Sequence, residues 1–300
     1  MPQLKLEMKL GKAIMELPDT KTIRLEWPEG YEIDFLTGQF ITVYWPHKQK
    51  YKLAYSLSSC ALDRGYYEVT VKREGKMGTS IVDWAEEGDI MWFIEPVGKF
   101  LPAYEPPGKH LICIAGGSGV TPFRGFVREA TRRKLDTKIT VLYSVRTTED
   151  IIFNHEFREL ERENPNFEFL VTCTRLGDED PWGGRRGRID ANWVKEQIGE
   201  LSDTVFYGCG PNPLVEFAET LVRDELGVDA VILNVRPVQA GLLKRMWNGK
   251  QVEVLATRST PERSEKEAML QLATRVGELE EELTARGSTG ALQSSGPNPA

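Results

Sequence analysis

The stretch Gly116-Gly117-Ser118-Gly119-Val120-Thr121-Pro122 joins an apolar run to a segment of helical periodicity. In that arrangement, backbone N–H groups can surround a pyrophosphate. Glycines let the backbone approach the anion, and the positive end of the following helix meets its charge. The third glycine of the dinucleotide fingerprint is missing because Pro122 stands in the first turn of the helix instead. Gly208-Cys209-Gly210-Pro211 makes a second turn between a strand-like and a helix-like segment. Taken singly, the first turn also suits a bare tight connection, and Cys209 also suits a small buried hydrophobe. Two crevice turns in one sheet suit a single extended ligand lying across both.

A third cluster precedes them. Leu53-Ala54-Tyr55-Ser56-Leu57-Ser58-Ser59 is followed by Val71-Lys72-Arg73 and by Gly75-Lys76-Met77-Gly78-Thr79-Ser80. An aromatic ring beside a hydroxyl can cover a flat heterocycle and hydrogen-bond its edge, and a Gly/Thr/Ser turn opening a helix can hold a phosphate. A strand with a half-buried tyrosine followed by a capped helix would look the same.

The elements that must position these groups fall into two textures. Over residues 4–101, short β-branched and aromatic runs (41–45, 66–72, 90–95) are punctuated by Gly30, Gly38, Gly65, Gly75, Gly88 and Gly98. This pattern predicts antiparallel strands closing into a β-barrel, with one short helix over 78–86. A Pro/Gly-rich linker at 102–108 follows. Beyond it, strands at 110–115, 139–145, 168–174, 204–208 and 230–235 alternate with helices at 122–134, 152–164, 192–198 and 213–225. Such alternation predicts a doubly wound α/β domain with a parallel sheet, which binds ligands at the carboxyl ends of its strands. The expected domains are 1–103 (barrel), 108–236 (α/β), an extension at 237–286 and a disordered tail at 287–300.

The 300 residues carry 38 Lys plus Arg against 45 Asp plus Glu, a net charge of −7. That balance argues against a general nucleic-acid binder, whose affinity rests on neutralising phosphates. Cys60, Cys113, Cys173 and Cys209 are at least 36 residues apart, and His47, His110 and His155 are scattered. No metal or iron–sulfur spacing results, and free thiols point to a reducing cytoplasm. No run approaches the ~20 apolar residues of a membrane span.

In this order and at these distances, the three motifs make residues 5–235 resemble the ferredoxin-NADP reductase superfamily. The resemblance implies a flavoprotein with a barrel flavin domain and an α/β nucleotide domain, taking hydride from NAD(P)H. It implies that Tyr55 and Ser56 hold the flavin, Tyr55 covering the ring and Ser56 bonding near its N5. Val71, Lys72 and Arg73 would line the flavin, and Gly78, Thr79 and Ser80 its pyrophosphate. Gly117, Gly119, Thr121 and Pro122 would receive the dinucleotide. Cys209, Gly210 and Pro211 would lie beside the nicotinamide, so that Ser56, Thr121 and Cys209 frame the reacting atoms. Tyr143 through Asp150, which includes Arg146 as a cofactor-binding candidate, and Trp182 through Ile189 also look like family segments. The implied cofactor is FAD rather than FMN, with NADP or NAD as substrate. The implied partner is a separate one-electron protein such as a ferredoxin, flavodoxin or oxygenase component, with electrons flowing in either direction. A flavin-holding subunit without independent turnover is the rival reading.

Leu53 stands where the family usually has an arginine, leaving Lys52, Lys72 or Arg73 to neutralise flavin phosphate. The hydroxyl of the phosphate turn is about one position off the usual spacing. Arg175, just after Thr174 at a strand end, suits a 2'-phosphate, with Arg185, Arg186 and Arg188 close in sequence. Met269, Leu272, Val276, Leu279 and Leu283 are spaced as a coiled-coil seam of about two heptads. Residues 262–286 are therefore expected to serve self-association or partner docking, and Trp247 is a candidate cover for the flavin. Ending the chain at Pro261 is expected to spare the flavin.

Overall fold

The structure is a computed structural model and describes residues 5–31, 34–45, 52–105, 109–177, 179–228 and 231–234. The heptad seam, Trp247 and the expected tail lie outside the described residues.

The first domain contains β1 (Lys5–Leu17), β2 (Thr20–Glu26), β3 (Phe40–Tyr44), β4 (Lys52–Ser56), β5 (Tyr66–Lys72), α1 (Gly75–Trp84) and β6 (Ile90–Val97). Among the described residues, its strands form one sheet in the order β4-β3-β6-β1-β2-β5, with antiparallel neighbours throughout. The two end strands meet just past β4, where Leu57 bridges Val69 and the Ser58 N–H donates to the Glu68 carbonyl at 2.8 Å, closing the barrel. Alternation along each strand determines what goes inside. Ile23, Leu25, Ile41, Val43, Tyr67, Val69, Val71 and Phe93 fill the interior, each worth roughly 1.5–3 kcal/mol when fully buried. Helix α1 plugs the barrel with Met77 and Ile81. It begins three residues before the expected start at 78. Gly75 at its first position takes a φ of +61°, which residues with a side chain rarely adopt, and burial of Met77 anchors the turn.

The second domain contains β7 (His110–Gly116), α2 (Thr121–Arg133), β8 (Lys138–Val145), α3 (Asn154–Glu163), β9 (Phe167–Cys173), β10 (Arg185–Arg186), α4 (Ala191–Ile198), β11 (Thr204–Cys209), α5 (Asn212–Thr220) and β12 (Val231–Asn234). Among the described residues its sheet is all parallel, in the order β10-β9-β8-β7-β11-β12. Both faces are covered, so its strands read as near-continuous apolar runs. On β7, Leu111, Cys113 and Ala115 join the α2 and α3 core, while Ile112 and Ile114 join the core under α4 and α5. On β11, Val205, Tyr207 and Cys209 face the first of these cores and Phe206 the second. The order reverses between β7 and β11, so the topological switch point lies at their carboxyl ends, Gly116 and Cys209.

Beyond its pairing with β10, the outer edge of β9 is occupied by side chains. The Phe169 N–H donates to Glu161 at 2.8 Å, and its carbonyl accepts from Arg158 at 2.9 Å.

Candidate functional site

The two turns read from the sequence lie side by side at the switch point. Gly116-Gly117-Ser118-Gly119-Val120 leaves β7 as a single 3-10 turn and runs into α2, with Pro122 in the first helical turn. Gly119 packs directly on the Cys209 carbonyl and Gly210 Cα, where a Cβ would overlap both. Gly210, at φ +156°, packs against the backbone of Gly116, and Gly116 packs against Pro211 and Leu214. Small residues are required here because backbone meets backbone. Thr121 is buried, and its hydroxyl donates to the Ser118 carbonyl at 2.7 Å. Tyr143 on β8 donates to the Gly117 carbonyl at 2.9 Å, and burial pushes its phenol far up.

These residues fit a dinucleotide phosphate. Gly117 adopts the left-handed φ of +53°, with open space where a Cβ would stand. No side chain caps the 3-10 turn or the amino end of α2, which leaves the site for an anion where amides and dipole converge. Cys209 is 7% exposed, with its neighbour Tyr207 clasping the interdomain linker. The Tyr207 hydroxyl accepts from the Ala103 N–H at 2.7 Å and donates to the Leu101 carbonyl at 3.1 Å.

On the barrel side, Tyr55 and Ser56 end β4 half-buried, with Tyr55 packed against the barrel core. Val71 points into that core, so only its backbone can face a ligand. Lys72 pairs with Asp19 at 3.3 Å and Arg73 with Asp83 at 2.8 Å, which ties both cations to barrel carboxylates. Leu53 is 44% exposed. Gly78 packs on the Lys72 carbonyl and Ser80 donates to the Lys76 carbonyl at 2.8 Å, so both lie within the helix. Thr79 is half-buried beside them. No side chain caps the amino end of α1, where Gly75 has φ +61°. The open first turn at 75–77 thus lies beside the expected phosphate residues Gly78, Thr79 and Ser80, on the same helix.

Further along the sheet, Thr174 donates to the Val145 carbonyl at 2.9 Å, and the Arg175 N–H donates to the Arg146 carbonyl at 2.8 Å. Arg146 and Arg175 are thereby exposed together at the carboxyl ends of β8 and β9. Of the neighbouring arginines, Arg186 donates to the Gly177 and Asp180 carbonyls and Arg185 pairs with Asp190, while Arg188 is exposed.

Sequence reasoning missed an ionic seam between the domains. On the outer face of the barrel, Thr22 pairs across strands with Thr70, and Arg24 with Glu68. Helix α2 lays Arg124, Arg128 and Arg132 over this face. Glu68, 1% exposed, accepts from Arg24 at 2.8 Å and from Arg124 at 2.7 Å. Arg124 also binds Glu156 at 2.7 Å, and Arg132 binds the buried Asp63 at 2.6 Å. Burial pushes the Glu68 and Asp63 carboxyls up, but the surrounding arginines outweigh it and hold both below the ordinary range. The stripe of arginines at four-residue spacing on α2 is visible in the sequence, but their partner Glu68 sits in a strand that also carries Thr70 and Lys72, where nothing singles it out.

With this geometry established, residues 7–101 match the family described as Oxidoreductase FAD-binding domain, and residues 113–220 match Oxidoreductase NAD-binding domain. The chain is 29% identical to ferredoxin–NADP reductase B of Sorangium cellulosum over 70% of its length and 88% of that protein. It is 26% identical to terephthalate 1,2-dioxygenase, reductase component 2, of Comamonas sp over 72% of its length, covering 63% of that protein. The cytochrome b5 reductase domain of Ulva prolifera nitrate reductase superposes with a TM-score of 0.68 at 22% identity, over 78% of this chain and 98% of that one. Among the described residues, no helix is long and apolar enough to cross a membrane. Two adjoining domain matches, in the order of the two domains of the fold, place this chain in the ferredoxin-NADP reductase superfamily as an FAD-dependent NAD(P)H oxidoreductase.

Proposed function

We propose that the protein relays electrons between NAD(P)H and a separate one-electron carrier protein through FAD held on β4 and α1. When bound, FAD would supply the redox chemistry, as a group able to take up a hydride and to give up electrons one at a time. The chain's own work is positional: it holds two rings at near contact, which is where most of its rate effect arises. Tyr55 would cover the flavin, Ser56 would hydrogen-bond its edge, and Thr121 and Cys209 would frame the nicotinamide. The observation that carries this reading is the direct packing of Gly119 on Cys209, which makes one continuous floor of the two turns. The names of the relatives, a ferredoxin–NADP reductase and a dioxygenase reductase component, support a separate protein partner.

The pairing of exposed Arg146 and Arg175 supports NADPH over NADH, because guanidinium groups bind a 2'-phosphate through charge-assisted hydrogen bonds. The test is anaerobic mixing of purified protein with NADPH or NADH, followed at the flavin bands, and then with a ferredoxin-type iron–sulfur protein. Bleaching by the dinucleotide and reoxidation by the carrier are expected. Tyr55→Ala should release flavin. Retention of full flavin with unchanged fluorescence would remove Tyr55 from the site.

A further inference from the structure

We propose that Glu68 and Arg124 form a positioning pair that sets how closely the flavin on β4 and the dinucleotide at the start of α2 approach one another. The inference rests on the functional reading above and concerns two residues outside those named there for either ring.

The two proposed cofactor sites are held by different domains, so their separation is only as well defined as the contact between those domains. Glu68 reaches both. Its backbone carbonyl accepts from the Ser58 N–H, and its own N–H donates to the Ser59 hydroxyl at 3.1 Å, two and three residues beyond Ser56. Its side chain binds Arg124, three residues beyond Thr121. Arg124 also donates to the Ser58 carbonyl, at 3.5 Å, and stacks 4.7 Å from the Phe153 ring centre. The next residue of α2, Gly125, packs so tightly on the Ser59 carbonyl that a Cβ would crowd it. One buried carboxylate thus joins the segment after the flavin strand to the helix that opens at the dinucleotide loop. Arg128 reinforces the contact, approaching Glu68 and Asp63 at 3.4 Å and Glu156 at 3.6 Å.

A buried ion pair is weak evidence of stabilisation, since a hydrophobic pair of equal volume often serves as well. Its directional bonds do fix an orientation, and hydride transfer is sensitive to it: a misplacement of ~1 Å can cost on the order of 100-fold.

The test uses the flavin-loaded full chain with Glu68→Gln, which keeps the shape and removes the charge. Flavin content and NADPH dissociation constant should stay within about twofold, while the single-turnover rate of flavin reduction should fall by about tenfold or more. Glu68→Asp should recover part of that loss. Hydrogen exchange gives a readout independent of turnover: the Ser58 amide and the first turns of α2 should lose protection together. If Glu68→Gln does not fold, Arg124→Lys, which keeps the charge and loses the second arm to Glu156, is judged by the same measurements. A rate within about twofold of wild type, with only a lowered melting temperature, would overturn the inference and leave the pair as structural glue. If wild-type flavin is reduced by neither dinucleotide, the functional reading falls and this inference with it, which distinguishes the two failures.

Discussion

Gly119 shows how little freedom the site allows at a single position. Gly119→Ala would force the dinucleotide loop off the Cys209 turn, because the new methyl would occupy the place of a backbone carbonyl. Flavin content should be untouched, and affinity for both dinucleotides should drop by about tenfold or more, read by titration of the bound flavin. Cys209→Ala is the milder change. It keeps the turn and, on the proposed reading, alters the surface beside the nicotinamide, so the reduction rate should fall further than binding weakens. Stopped-flow reduction at saturating dinucleotide measures this, and an unchanged rate would return Cys209 to a packing role. Arg175→Ala should cost NADPH about 1.5–3 kcal/mol, as for a hydrogen bond to a charged group, and leave NADH nearly unaffected. The ratio of the two kcat/KM values decides it, and equal losses would remove the pairing.

At the scale of elements, β7 carries a group with a clear pH signature. His110 hydrogen-bonds Thr140 at 2.8 Å, and burial, with Lys138 nearby, lowers its pKa to about 4. In the unfolded chain it returns toward about 6.5. Between these values the unfolded state binds more protons, so this contribution to stability is present above pH 6.5 and lost as pH falls toward 4. His110→Gln should flatten the decline of Tm across that window, and a parallel decline in wild type and variant would assign the effect elsewhere.

Strands and helices of this kind were legible in sequence because their periodicities are local. The 66–72 strand keeps its expected bounds, and the glycine turns needed only their own backbone chemistry to be singled out. The start of α1 was not legible, because tertiary burial of Met77 decides it.

At the scale of the molecule, the seam was invisible for a different reason. Glu68 and Arg124 are 56 residues apart, and each alone reads as an ordinary surface charge. Their role appears only when the outer face of the barrel is covered by α2. The same cover adds an aromatic cluster of Phe100, Phe123, Phe126 and Tyr207, with ring centres 5.4 to 5.8 Å apart. Phe100 precedes the expected linker yet packs in the α/β core. Domains joined through so much buried structure should melt together. Calorimetry should show one transition for the described domains, with flavin release inside it, whereas two well-separated peaks would mean that the seam does not couple them.

The outer margin of β9 has a consequence for the behaviour of the protein at high concentration. An exposed strand margin is a template onto which a foreign strand can be added, the first step toward ordered aggregates. Glu161 already accepts from the Phe169 amide and Arg158 already donates to its carbonyl, the two groups such a strand would need. Helix α3 thus acts as a gatekeeper, and replacing both side chains with alanine would open that margin to recruitment from neighbouring molecules.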